Sequence, residues 1–257
     1  MEPEAKVRIG GIVDMSTVDW YGNVSLIIFF AGCNFRCPYC QNSSLIPVDA
    51  GSEVDMDYLR GRILENMTPV PQLDAVVFTG GEPTLQPKGL EAAAKLVKEM
   101  NFKVMLDSNG SNPKIIESLF KQDLVDRVAL DVKGPLNSSG YMIAAGLADP
   151  ENIVANVEET IELCNRYNVE VEARTTVAPG VSDSDEFIRE IAEDIKGRCT
   201  VYYLQQYDNT GDILSPDLKL KMSPTRERMI ELANIAVNAG LENVHIKTRN
   251  MGLERID

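Results

Sequence analysis

Leu26-Ile27-Ile28-Phe29-Phe30-Ala31 runs directly into Gly32-Cys33-Asn34-Phe35-Arg36-Cys37-Pro38-Tyr39-Cys40. An unbroken apolar run with β-branched and aromatic side chains predicts a strand buried on both faces, the kind found in parallel sheets. It is too short to cross a bilayer, which takes roughly 20 apolar residues. The loop behind it holds three cysteines spaced C-x3-C-x2-C. Three soft thiolates so close together form a ready metal chelate.

The same alternation continues along the chain. Apolar, β-branched runs predict strands over 24–31, 74–79, 102–107, 127–133, 169–177, 200–206 and 244–248. Between them, apolar residues at a period of 3.6 predict helices over 90–100, 152–167, 183–196 and 224–239. The third opens on acidic residues and stops at Lys196-Gly197, and the last stops at Gly240. Strand–helix alternation implies right-handed crossovers and a parallel sheet. Six or seven units fall short of a complete eight-unit barrel. The expected fold is therefore α/β, a partial (β/α)6-type TIM-like barrel with parallel strands. No repeat, linker or shift in composition divides it, so residues 1–257 are expected to form one domain with a metal-binding loop at 32–42.

Composition excludes several classes. The chain has 257 residues, with 25 Lys and Arg against 39 Asp and Glu, for a formal charge of −14. A broad nucleic-acid surface would need a basic excess. Five cysteines are too few for a disulfide scaffold of this length. The opening Met1-Glu2-Pro3-Glu4-Ala5-Lys6 has no apolar stretch like a signal peptide, and nothing spans a membrane. The expected setting is the cytoplasm, with thiols reduced and free to bind metal.

A closed structural zinc site wants four ligands, whereas an open coordination position belongs to catalysis. No fourth ligand is near, and the only histidine is His245. Cys164 falls in a helical pattern and Cys199 at a strand start, where each reads as a small buried hydrophobe. An iron–sulfur cube fits three thiolates, with its fourth iron left for a substrate or cofactor. An electron-transfer or iron-sensing protein would need a fully ligated cluster.

With its cysteine motif, Arg36 and Tyr39 between the cysteines, and Gly80-Gly81-Glu82-Pro83 at the end of the second strand, the chain resembles the radical S-adenosylmethionine (SAM) superfamily. The resemblance implies that Cys33, Cys37 and Cys40 hold one 4Fe–4S cluster. It also implies that the unique iron chelates SAM, and that Gly80, Gly81 and Glu82 approach the methionine amino group. Asp19-Trp20-Tyr21-Gly22 and the cysteine loop look closer still to the glycyl-radical-enzyme activases. Among these, the activating proteins of anaerobic ribonucleoside-triphosphate reductase are most similar, with pyruvate formate-lyase activating enzyme next. Asp107-Ser108-Asn109-Gly110 and Asp131-Val132-Lys133 match further elements of that group.

That likeness implies Asp107, Ser108 and Asp131 near the SAM carboxylate, with a monovalent cation bridging the acids and Lys133 beside the ribose or carboxylate. Tyr39, Asn42, Arg174 and Gln205 complete the implied cofactor-binding set. Two Asp beside a third carboxylate would repel unless a cation or Lys neutralised them. The chain departs from the group at Trp20-Tyr21, where Gly-Pro or Tyr-Pro is usual, and at Gln41, where His is frequent. The implied activity is reductive SAM cleavage to a 5′-deoxyadenosyl radical that takes hydrogen from a glycine of a partner glycyl radical enzyme, with flavodoxin or ferredoxin as electron donor. The alternative targets are a small molecule, as in 7-carboxy-7-deazaguanine synthases, or another polypeptide.

Overall fold

The computed structural model describes residues 5–67 and 73–257. Met1–Glu4 of the opening stretch, and part of the segment joining Cys40 to Gly80, lie outside the described residues. The described residues form two compact units.

The first unit takes residues up to Asn34, Ser44–Ser108 and Lys114–Val128. It holds β1 (Lys6–Ser16), β2 (Ser25–Phe30), β3 (Ser52–Asp55), α1 (Met56–Glu65), β4 (Ala75–Gly80), α2 (Pro87–Glu99), β5 (Lys103–Ser108) and nearly all of α3 (Pro113–Phe120). Its strands run in the order β5-β4-β2-β1-β3. β2 pairs parallel with β4, from Ser25 opposite Ala75 to Phe30 opposite Gly80. β4 pairs parallel with β5, from Ala75 opposite Lys103 to Phe78 opposite Leu106. Leu26, Ile28, Val76, Phe78, Val104 and Leu106 are all buried, which is why these strands read as continuous apolar runs. Helix α2 starts at Pro87, whose fixed φ suits a first turn, and buries Leu90, Ala93, Ala94, Leu96 and Val97. Each large aliphatic side chain buried in this way contributes about 1.5–3 kcal/mol. Gln86, just ahead of it, exchanges hydrogen bonds with the main chain of Arg8, accepting from its N–H (2.8 Å) and donating to its carbonyl (2.8 Å).

The second unit takes Phe35–Ser43, Asn109–Pro113 and Ala129–Asp257. It holds β6 (Arg127–Asp131) from Ala129 onward, α4 (Ser138–Ala144), α5 (Glu151–Tyr167), β7 (Glu170–Val177), α6 (Asp185–Ile195), β8 (Val201–Gln206), α7 (Pro216–Lys219), α8 (Arg226–Asn238), β9 (Val244–Thr248) and β10 (Gly252–Arg255). The strand order is β10-β9-β8-β7-β6. β7, β8 and β9 are parallel. Their register lines up Arg174, Tyr203 and His245 in one row and Thr176, Gln205 and Lys247 in the next, which gives the sheet one polar face. Helix α8 packs on β9, and α6 packs on α8. The side chains of Ser184 and Thr225 cap α6 and α8, accepting from Phe187 N–H and Arg228 N–H.

The alternating α/β architecture with parallel strands is the expected one, and all seven expected strands and four expected helices form with small shifts at their ends. Three further strands are antiparallel: β1 against β2 and β3, and β10 against β9. β1 carries Gly10 and Gly11 and is exposed over much of its length, while β3 and β10 have four residues each, too short for a periodic signal. Helices α1, α3, α4 and α7 were also beyond the expectation. Two of these, α4 (7 residues) and α7 (4 residues), have less than the two turns over which a 3.6 period repeats.

Gly80 has φ +115°, and a Cβ there would lie 2.4 Å from the main-chain N and O of Phe30. Gly61, inside α1, has open space at the same position. Gly80→Ala is therefore expected to lower unfolding free energy by about 3 kcal/mol, whereas Gly61→Ala should raise it by about 0.5–1 kcal/mol. Urea unfolding midpoints of the two variants against the parent check the opposite signs.

Candidate functional site

The expected site residues collect at the C-terminal ends of parallel strands, within each unit. In the first unit β2 ends at Phe30 and the chain passes through Gly32, whose φ is +88°. Gly32 N–H donates to the carbonyl of Leu45 (2.8 Å) and Cys33 N–H to that of Ile46 (3.0 Å). The Gly80-Gly81 pair packs on this turn. Gly81 N–H donates to Phe30 (2.8 Å), Glu82 N–H donates to Gly32 (2.7 Å), and a Cβ on Gly81 would lie 2.1 Å from the Gly32 oxygen. The glycines thus let two main chains touch, and their contact fixes where Cys33 begins.

Glu82 is fully buried, and its Oε1 accepts from Thr84 N–H (3.0 Å), Thr84 Oγ1 (2.6 Å) and Ser108 Oγ (2.9 Å). Asp107, half-buried at the end of β5, accepts from Thr79 Oγ1 (2.8 Å). Glu82, Ser108 and Asp107 are therefore gathered at the ends of β4 and β5. Thr79 and Thr84, which hold the two acids, were not singled out in the sequence. Their position beside Gly80-Gly81-Glu82 at a strand end was the available signal. Asn109, the residue after Ser108, makes the turn itself: its Oδ1 accepts from Ser111 N–H (3.0 Å).

In the second unit, Cys37 and Tyr39 are buried and Cys40 is half-buried. Cys40 N–H donates to the Cys37 carbonyl (3.0 Å), closing a tight turn around Pro38 and Tyr39. The Lys133 ammonium lies 5.8 Å from the centre of the Tyr39 ring, a cation–π distance, and donates to Asp131 at 2.6 Å. Burial alone would lower the Lys133 ammonium, but Asp131, Cys37 and Tyr39 outweigh it and hold its pKa well above the ordinary range. It therefore stays charged. Burial, reinforced by Cys37, pushes the Tyr39 phenol up, and burial does the same to Tyr141 on α4. Tyr141 belongs to this cluster and had no sequence signal, because it sits in a short helix after a turn.

The other expected residues are placed differently. Asn42 forms a lone parallel bridge with Asp212. Arg174 lies in the middle of β7, not at its end, and is clamped to Glu172 through Nε (2.6 Å) and Nη2 (2.5 Å). Gln205 is half-buried near the end of β8, on the face that carries Arg174. Trp20 is buried in the turn after β1, with Lys103 Nζ 5.9 Å from its ring.

None of the five cysteines is in a disulfide. Burial raises the Cys40 pKa, and the Asn42 main-chain N–H lowers it in part. Among the described residues no three His, Cys, Asp or Glu converge on one point as ligands of a single ion. A cube spreads its thiolates over different irons, so its ligands need not converge. The donor set fits such a group: three cysteines on one short loop, none of them in a disulfide. The Tyr39 hydroxyl, buried without a hydrogen-bond partner, and the charged Lys133 beside it suit a polar cofactor. No described helix is long and apolar enough to cross a membrane.

The sequence profile of the Radical SAM superfamily matches residues 27–194, a span that draws on both units. A Methanocaldococcus jannaschii protein assigned by name as a glycyl-radical enzyme activating enzyme is 36% identical over 248 residues, 95% of this chain and 98% of its own. The pyruvate formate-lyase-activating enzyme of Clostridium pasteurianum is 31% identical over 193 residues, 74% of this chain and 76% of its own. Among solved structures, a radical SAM methyltransferase from Sphaerobacter thermophilus superposes with a TM-score of 0.67 over 89% of this chain and 67% of that one, at 18% identity. That likeness speaks for the fold alone, and it agrees with the expected α/β class.

The two cysteines outside the loop are structural. Cys164 is fully buried and its thiol is pushed up to about 12, while the half-buried Cys199 is pushed up to about 11, in both cases by burial. Thiolate is the reactive form, so at pH 8 only roughly one Cys199 in a thousand is reactive. Iodoacetamide labelling of the folded protein should leave Cys164 and Cys199 nearly untouched at pH 8. The Cys199 rate should rise about tenfold per pH unit toward its raised pKa. Peptide mass spectrometry reads both rates.

Proposed function

The chain belongs to the radical SAM superfamily, and from that premise we propose that it activates a glycyl radical enzyme in the cytoplasm, working as a single domain over residues 1–257. The observation that carries this reading is the C-x3-C-x2-C loop, with no cysteine in a disulfide and with Tyr39 of the loop stacked by Lys133. The near full-length match to a protein named as an activating enzyme supports the choice of substrate. The proposed partner is anaerobic ribonucleoside-triphosphate reductase, and the proposed electron donor is a flavodoxin or ferredoxin.

In this reading the thiolates of Cys33, Cys37 and Cys40 would hold the 4Fe–4S cluster. When bound, cluster and SAM supply one-electron cleavage of the sulfonium to methionine and a 5′-deoxyadenosyl radical, which removes a hydrogen atom from the partner's glycine. The protein's own part is binding and orientation. Lys133, kept cationic by Asp131, presents a positive charge to a carboxylate or ribose. Tyr39 offers an aromatic face and a free hydroxyl. Glu82, fixed by Thr84 and Ser108, places a negative charge for an ammonium group, and Asp107 sits at the next strand end. A monovalent cation near the SAM carboxylate would relieve repulsion between that group and the neighbouring acids. Asn42, Arg174 and Gln205 complete the proposed binding set, with Arg174 acting from its fixed position beside Glu172.

The test is done without oxygen. Iron and sulfide are reconstituted, the protein is reduced, and SAM is added with and without the reductase. The expected result is 5′-deoxyadenosine together with a glycyl-radical signal on the reductase, both lost in Cys37→Ala along with cluster loading. Product without the glycyl signal would move the substrate to a small molecule or another polypeptide. Normal SAM cleavage by Cys37→Ala would overturn the cluster assignment.

A further inference from the structure

The second unit holds its part of the cysteine loop from two sides. On one side Arg36 N–H donates to the carbonyl of Ala145 at 2.9 Å, just beyond α4. The next residue, Gly146, has φ +63°, and a Cβ there would lie 2.1 Å from the Arg36 oxygen. On the other side, residues 208–215 run along the loop after β8. Gln41 Nε2 donates to the Asp208 carbonyl (2.9 Å) and Ser43 Oγ to that of Asp212 (2.6 Å). Leu214 N–H donates to the Cys40 carbonyl (3.1 Å) and Ser215 N–H to that of Pro38 (2.9 Å). The Asn42–Asp212 bridge completes the seam. The strap is itself anchored: Asp208 accepts from Thr210 N–H (2.9 Å) and from Arg249 (3.4 Å), and Asn209 Nδ2 donates to Lys221 (3.1 Å).

From this we infer that Gln41 and Ser43 are positioning residues, which sew the cysteine loop to the strap at 208–215 and so set Cys37 and Cys40 for the metal before it arrives. The inference rests on the proposed cluster reading. It also accounts for Gln41. A long side chain ending in an amide donor reaches the Asp208 carbonyl across the seam, and Ser43 makes the corresponding bond two residues later. Each of these bonds runs between two groups of the protein itself, so none of them uses a cluster as a partner. A ligand loop fixed in advance loses less conformational entropy on binding and releases its metal more slowly.

The experiment compares iron release to an excess of chelator from anaerobically reconstituted protein, and hydrogen exchange of residues 35–43 in the iron-free protein. Gln41→Ala combined with Ser43→Ala removes two side-chain bonds and should speed iron release about fivefold, with faster exchange over 35–43. Gly146→Ala, which drives a methyl against the Arg36 carbonyl, should act in the same direction. Ser43→Thr keeps the hydroxyl and should behave as the parent. Gly197→Ala is the control, because Gly197 has φ +68° and open space around its Cβ position, remote from the loop in sequence. It carries similar backbone strain and should leave both readouts unchanged. Unaltered release and exchange in the Gln41/Ser43 variant, or equal effects in Gly197→Ala, would overturn the positioning role. A parent that takes up no iron would overturn the cluster reading, while the exchange measurement on iron-free protein still decides whether the seam orders the loop.

Discussion

The contact on which the first unit depends is between two stretches of main chain. Gly80 and Gly81 lie so close to Phe30 and Gly32 that no side chain fits between them. The contact is possible because β2 and β4 are parallel neighbours in register up to Phe30 and Gly80, so both chains leave the sheet at the same level. Where they leave, the usual ladder hydrogen bonds would lapse. They are replaced instead by Gly81 N–H to Phe30 and Glu82 N–H to Gly32. Buried main-chain groups need such partners, and these particular partners tie Cys33 and Glu82 to one rigid point.

A second constraint is charge. Glu82 is removed from water, and three donors converge on its single oxygen Oε1. Lys133 is held charged by Asp131, Cys37 and Tyr39 against the cost of its own burial. Each unit thus keeps ionisable groups partly or wholly out of solvent at strand ends. Such groups are costly unless paired, and the carboxyl ends of parallel strands are where open α/β sheets bind their ligands.

Much of this was legible in the sequence, for identifiable reasons. The parallel strands were visible because burial on both faces leaves no polar residue to blur them, as in Ala75-Val76-Val77-Phe78. The cysteine spacing and Gly80-Gly81-Glu82 were visible because both are local. What escaped was non-local or short. Nothing in Thr79 announces that it will bond Asp107 28 positions later, and nothing in Tyr141 announces that α4 will turn it toward Lys133. The strap at 208–215 has no periodicity, because its order comes from bonding to a loop about 170 positions away (167 for Gln41 and Asp208).

The two lysine and arginine pairs of the second unit show how geometry separates residues that the sequence treats alike. Asp131–Lys133 and Glu172–Arg174 are both i, i+2 pairs, the first at the end of β6 and the second inside β7. Lys133 and Asp131 keep 14% and 25% of their side chains exposed, and the lysine makes one bond to its partner. A ligand carboxylate can therefore share the ammonium without stripping Asp131 bare. Arg174 and Glu172 are sealed, at 7% and 1%, with two guanidinium nitrogens on one carboxylate oxygen. Withdrawing the arginine would strand a buried carboxylate at a cost of about 3–5 kcal/mol. Arg174 is therefore a fixed donor whose reach is set by β7, whereas Lys133 makes one bond to its acid and keeps a larger exposed share. Of the two cations expected to meet the cofactor, the one beside the cysteine loop is the more exposed and the less tightly clamped.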